Sequence, residues 1–147
     1  MIKKLSIFLL FFLYSCGYTT VYNNNNKQDY NIVISEMNGD IVMNRLIKNE
    51  LKNNSNKNSE NNYAVNLSTA YTKKIKSKNS SGIASNYEII IEATFDIDKK
   101  IIKFEEKFIV KNISDSIEQK NYEDIIKKNF ASSIREKLII KLLNWRW

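Results

Sequence analysis

The sequence contains no histidine and no proline, and only one cysteine and three glycines in 147 residues. Without histidine there is no Ser-His-Asp or Cys-His relay. One cysteine and no histidine cannot supply the four ligands of an ordinary zinc site. A lone cysteine also excludes an internal disulfide. Arginine is scarce as well: 3 Arg stand against 20 Lys, alongside 21 Asn and 22 Ile. Lys, Asn and Ile have A/T-rich codons, whereas Pro, Ala, Gly and Arg have mostly G/C-rich ones. The net charge of +7 therefore reflects base composition as much as any anionic partner. A hydrophobic content of 43% is enough for a packed core, and the length is that of one domain.

What is present begins at the N-terminus. Lys3 and Lys4 precede an apolar run over residues 5–14. A membrane-spanning helix needs about 20 apolar residues, whereas the apolar region of a signal peptide needs about 7–15. The run therefore reads as a signal. It ends in Leu13-Tyr14-Ser15-Cys16, which resembles a bacterial lipobox, with Leu three positions before Cys and a small residue just before it. The motif implies a diacylglyceryl group on the Cys16 thiol, cleavage before Cys16 and acylation of the new amine. The expected organisation is a lipoprotein signal peptide over 1–15, a lipidated Cys16 and flexible tether over 16–29, and a single α+β domain over 30–147. Two acyl signals already give stable anchoring. By resemblance to Gram-negative lipoproteins, in which aspartate after the cysteine favours the inner membrane, Gly17 implies the outer membrane. Cleavage removes Lys3 and Lys4, so +7 falls to +5.

The rest of the chain divides by periodicity. Residues 30–36 read as a strand, and Asn38-Gly39-Asp40 as a turn with Asp40 as N-cap. A helix to about Lys52 carries Met43, Leu46, Ile47 and Leu51 on one stripe. Residues 53–62 read as a loop. Residues 63–72 alternate as a half-buried strand, and 73–86 read as a basic loop with Ser80-Ser81-Gly82 at its tip. Strands over 87–97 and 101–113 form a hairpin through Asp98-Lys99-Lys100, with Glu106 out of place among apolar neighbours. Asn121 looks like the N-cap of a closing helix to about Asn144. Tyr122, Ile126, Phe130, Ile134, Leu138 and Leu142 step along it by four, flanked by Ile125, Ile139 and Ile140. The predicted fold is a two-layer α+β sandwich. Two helices pack on one face of a four-stranded, mostly antiparallel sheet in the order β-α-β-β-β-α.

Taken together, Cys16-Gly17-Tyr18 after the lipobox, Asn44-Arg45-Leu46 and Leu51 on the first helix, Gly82, Tyr87 and Ala93, and the closing amphipathic helix resemble the LPS-assembly lipoproteins (LptE, also called RlpB). The resemblance implies a plug within the large outer-membrane β-barrel LptD. It also implies a role in barrel assembly and in delivering lipopolysaccharide to the outer leaflet. It places the chain at the cell outer membrane, lipid-anchored on the periplasmic side, and predicts two helices on four strands.

Lipid A carries phosphates, and lysine supplies mobile point charges for phosphate. The candidate phosphate-binding residues are Lys73, Lys74, Lys76 and Lys78 in the basic stretch, with Lys120 before the last helix. The residue that Gly82 and Tyr87 align with the family's basic position is Ser80. No catalytic residue, metal or cofactor is expected, apart from the covalent lipid on Cys16. Glu105 and Glu106 are adjacent and point to opposite faces of a strand, so they form no acid–base pair. Nucleic acid is not an expected partner of an exported, anchored chain. The alternative reading is an auxiliary lipoprotein of a lipid-trafficking ABC transporter.

Overall fold

The structure, a computed structural model, describes residues 30–145. The expected signal peptide, Cys16, the tether and Trp147 lie outside the described residues. The elements are β1 (Asn31–Gly39), α1 (Ile41–Asn53), β2 (Asn62–Lys78), β3 (Ala84–Ile97), β4 (Lys100–Lys111) and α2 (Ser116–Asn144). The order is the predicted one. The four strands form one sheet in the order β1-β2-β3-β4. β1 runs parallel to β2, and the other two pairings are antiparallel.

Alternation decides which face is buried. On β3, Ile89, Ile91, Ala93, Phe95 and Ile97 point inward, while their neighbours along the strand are more exposed. These residues meet Met43, Ile47 and Leu51 of α1 and Ile126, Phe130, Ile134, Leu138 and Leu142 of α2 in one core. The helix stripe is narrower than the sequence pattern, because Tyr122, Ile125 and Ile140 remain exposed. Glu106 on β4 turns toward α2, where it accepts hydrogen bonds from the Ser133 hydroxyl at 3.0 Å and from Lys137. That accounts for a carboxylate on an otherwise apolar face. Arg135 of α2 lies 3.3 Å from Glu50 of α1 and ties the helices side by side. The opposite face of the sheet has no covering element among the described residues.

The β1–α1 junction is held by polar groups. Asp40 accepts from Met43 N at 2.8 Å, as its N-cap position predicts. The buried Asn44 donates to Asn38 O at 3.0 Å and accepts from the Thr69 hydroxyl at 2.9 Å. Three boundaries differ from expectation. β1 continues through Asn38 and Gly39, which the sequence read as a turn, because both pair with β2. β2 continues through the predicted basic loop to Lys78, paired with β3, so the connecting turn is only residues 79–83. There Asn79 Oδ1 accepts from the backbone N–H groups of Ser81 and Ile83. Helix α2 starts at Ser116, capped by Asp115 and not by Asn121. The Asp115 carboxylate accepts from Ile117 N and Glu118 N at 2.7 and 3.1 Å. The hairpin turn itself is Asp98-Lys99, both at positive φ (51° and 66°), the backbone of a tight two-residue connection. Trp145 packs at the edge of the core, with the Lys100 ammonium 4.7 Å from its ring centre.

Candidate functional site

Strand geometry splits the five candidate lysines. Because β2 is still a strand at residue 73, Lys73 points to the helix-covered face and Lys74 to the open face. Lys74 and Lys76 both engage Glu88 on the open face, at 3.0 and 2.9 Å. Hydrogen bonds from Lys76 and Lys74 hold the Glu88 carboxyl below its usual range. Lys78 ends β2 beside the turn. The expected single basic loop is therefore replaced by two lysine groups on opposite sides of the sheet.

Lys73 and Lys120 are brought together. They line an open cleft of about 350 Å³ with Tyr87, Ser114, Ser116, Gln119 and Glu123. Register builds this cleft. β2 and β3 run on past the start of α1, and α2 begins beyond it, leaving Tyr87 and Lys73 beside the first turns of α2. The Lys73 ammonium bonds to Glu123 and lies 4.2 Å from the Tyr87 ring centre. Glu123 also accepts from the Tyr71 hydroxyl at 3.0 Å and from Gln119 Nε2 at 2.8 Å. Gln119 Oε1 in turn accepts from Ile113 N at 2.8 Å, which fixes the chain entering α2. Lys127 sits 4.4 Å from the Tyr71 ring centre. With Lys73 balanced by Glu123, Lys120 is a cation in the cleft that has no ion-pair partner among the described residues.

Burial alone would push the Glu123 carboxyl up. The hydrogen bonds from Lys73, Gln119 and Tyr71, and the Lys73 charge, outweigh burial and hold it below the ordinary 4.5. Burial and the neighbouring Glu123 push the Tyr71 hydroxyl up, so it stays a donor at neutral pH. A carboxyl with a lowered folded pKa contributes its stability fully above the unfolded value and loses it as pH falls through the folded one. Glu123→Gln is therefore expected to be less stable than the parent chain at pH 7. The gap should close as pH drops below 4.5, read from urea midpoints at pH 7 and at acid pH.

Glu123 was not visible as a site residue in the sequence, since it lies fifty positions from Lys73. No sequence signal of local spacing joins the two. Among the described residues no group of carboxylates is arranged to hold a metal ion, and no helix is long and apolar enough to cross a membrane.

No protein-family model matches the sequence, and neither does any curated protein. Several solved structures are similar in fold. Rare lipoprotein B from Shewanella oneidensis is 12% identical, covering 74% of this chain and 93% of its own, with a TM-score of 0.46. A lipoprotein B from Nitrosomonas europaea is 10% identical, covering 74% of this chain and 82% of its own, with a TM-score of 0.46. A minor lipoprotein from Acinetobacter baumannii is 11% identical, covering 72% and 93%, with a TM-score of 0.49.

Proposed function

We propose that this chain is an outer-membrane lipoprotein, anchored through Cys16 on the periplasmic side. It acts as a plug and assembly subunit of the LPS translocon, bound to the LptD β-barrel, and assists delivery of lipopolysaccharide to the outer leaflet. The observation that carries this reading is the pairing of two features. The chain's only cysteine completes a lipobox, and the domain that follows places Lys73 and Lys120 in one open cleft. No catalytic chemistry is assigned to the cleft. Its carboxylate, Glu123, is engaged by three donors and serves to position Lys73.

A phosphate of lipid A entering the cleft would meet Lys120 first, beside Ser114 and Ser116. The two amides at the start of α2 are already taken by Asp115, so the lysines must supply most of the attraction. Lys73 joins by sharing its protons between Glu123 and the incoming oxygen. Lys74 and Lys76, held by Glu88 across the sheet, take no part, and Lys78, at the end of β2, does not line the cleft.

Lys120→Gln is expected to weaken LPS binding about fivefold, equivalent to ~1 kcal/mol. The Lys73→Gln, Lys120→Gln double variant should lose more, and Lys74→Gln with Lys76→Gln almost nothing. Equilibrium binding of fluorescent LPS to the purified chain reads all three. Equal losses from the two pairs would show a diffuse basic surface in place of a cleft.

A further inference from the structure

A second concavity lies at the other end of β2, between the edge strand β1 and the C-terminal half of α1. It has a volume of about 500 Å³ and is lined by Ile32, Val33, Ile34, Leu51, Lys48, Lys52 and others. That size is within the range of small-molecule sites, about 300–1,000 Å³. The floor is aliphatic. The rim carries Lys48 and Lys52, one helical turn apart, and Lys57 from the loop after α1. No acidic side chain lines the groove, and none of the three lysines forms an ion pair among the described residues.

We propose that this groove binds a single-chain anionic amphiphile, a fatty acid or a lysophospholipid. The acyl chain lies along Ile32, Ile34 and Leu51, and the headgroup is held by Lys48, Lys52 and Lys57. The charge pattern selects the occupant, because three unpaired cations around an apolar floor complement a molecule with one anionic end. The lysine stems add apolar wall while their ammonium groups stay at the rim. An added peptide strand is the less suited occupant. The free side of β1 is already bonded where the groove lies: Ile32 N donates to the Ser55 hydroxyl at 2.8 Å, and Tyr30 O accepts from Asn56 N at 2.9 Å. A strand would find the ladder interrupted at these two groups.

The proposal does not depend on the barrel reading. It is tested on the full chain in a neutral detergent, with diazirine-bearing palmitate, lysophosphatidate and monoacylglycerol as photoprobes and mapping of the labelled peptides. The two anionic probes should label residues 31–34 and 48–57, and their relative yields distinguish a carboxylate from a phosphate headgroup. The neutral probe should label weakly. Replacing Lys48, Lys52 and Lys57 by Gln, all exposed positions, should lower anionic labelling about tenfold without changing the thermal midpoint. Ile34→Trp, which fills the groove, should block all three probes. Equal labelling by neutral and anionic probes, labelling elsewhere, or an unchanged yield in the lysine variant would overturn the proposal. So would displacement of the probes by an acidic peptide but not by unlabelled palmitate or lysophosphatidate.

Discussion

Phe130→Asp is expected to abolish cooperative folding. Phe130 is fully buried on the inner face of α2, in the core shared with Ile126, Ala131 and Ile134. Truncating a buried Phe to Ala costs about 3–5 kcal/mol. An unpaired buried carboxylate adds a desolvation cost of several kcal/mol. A domain of this size is stable by about 5–15 kcal/mol in total, so the combined loss consumes most or all of it. The comparison that makes the result informative is Ile125→Asp. Ile125 is 52% exposed, and a charge there should shift stability by only about 0.5 kcal/mol. Urea titrations followed by circular dichroism should show no transition for the first variant and a near-parental one for the second. A folded Phe130→Asp protein would mean that α2 does not dock on this face.

The second large effect is expected at Gly39. This residue has φ +92°, and a Cβ built on it would lie 1.8 Å from Thr69 O and 2.9 Å from Thr69 C. Those atoms are backbone of the neighbouring strand and have no side-chain freedom with which to yield. The same Thr69 carbonyl accepts from Asp40 N at 3.1 Å, so relieving the clash pulls Asp40 away from its capping position. Left-handed backbone costs an L-residue roughly 1–2 kcal/mol. A lost N-cap costs about 1 kcal/mol, and a lost hydrogen bond about another 1 kcal/mol. Gly39→Ala should therefore destabilise the domain by about 3 kcal/mol or more. Gly82 also has positive φ, +78°, but a Cβ there meets nothing within 4 Å. Gly82→Ala should cost only the backbone contribution, about 1–2 kcal/mol. Similar losses at the two positions would show that the close approach to Thr69 is not what Gly39 provides.

The elements that were legible are those whose burial repeats with a simple period. α1 shows Met43, Ile47 and Leu51 on one stripe and Asp40 at its start, and the structure buries the stripe and caps the helix there. The β3–β4 hairpin shows two apolar strands joined through a turn at residue 98. The second half of β2 was not legible because it extends past α1 and buries little. Lys73-Lys74-Ile75-Lys76 has no alternation, and the strand persists there through pairing to β3 and ion pairs to Glu123 and Glu88. The start of α2 was hidden for a related reason. Its first turn carries an exposed Ile117 and no core stripe, so the cap at Asp115 had no periodic residues after it to reveal a helix.

The candidate site was half legible. A cluster of lysines can be seen in the sequence, but which of them face each other depends on the strand assignment. Reading residues 73–78 as a loop merged Lys73 with Lys74 and Lys76, which the sheet separates. Lys120 could be named but not placed beside Lys73, because α2 begins four residues before it. The partnership that shapes the cleft, Lys73 with Glu123, forms only when α2 lies across the sheet.

The proposed function makes this lipid-anchored domain a partner of an outer-membrane barrel. The most direct measurement is purification of the tagged chain from detergent-solubilised membranes, with mass spectrometry of what remains bound. A large β-barrel should co-purify in stoichiometric amount from outer-membrane fractions, and the Cys16→Ala chain should be absent from those fractions. Recovery of an ABC transporter from the inner membrane, or of no barrel at all, would contradict the proposed function.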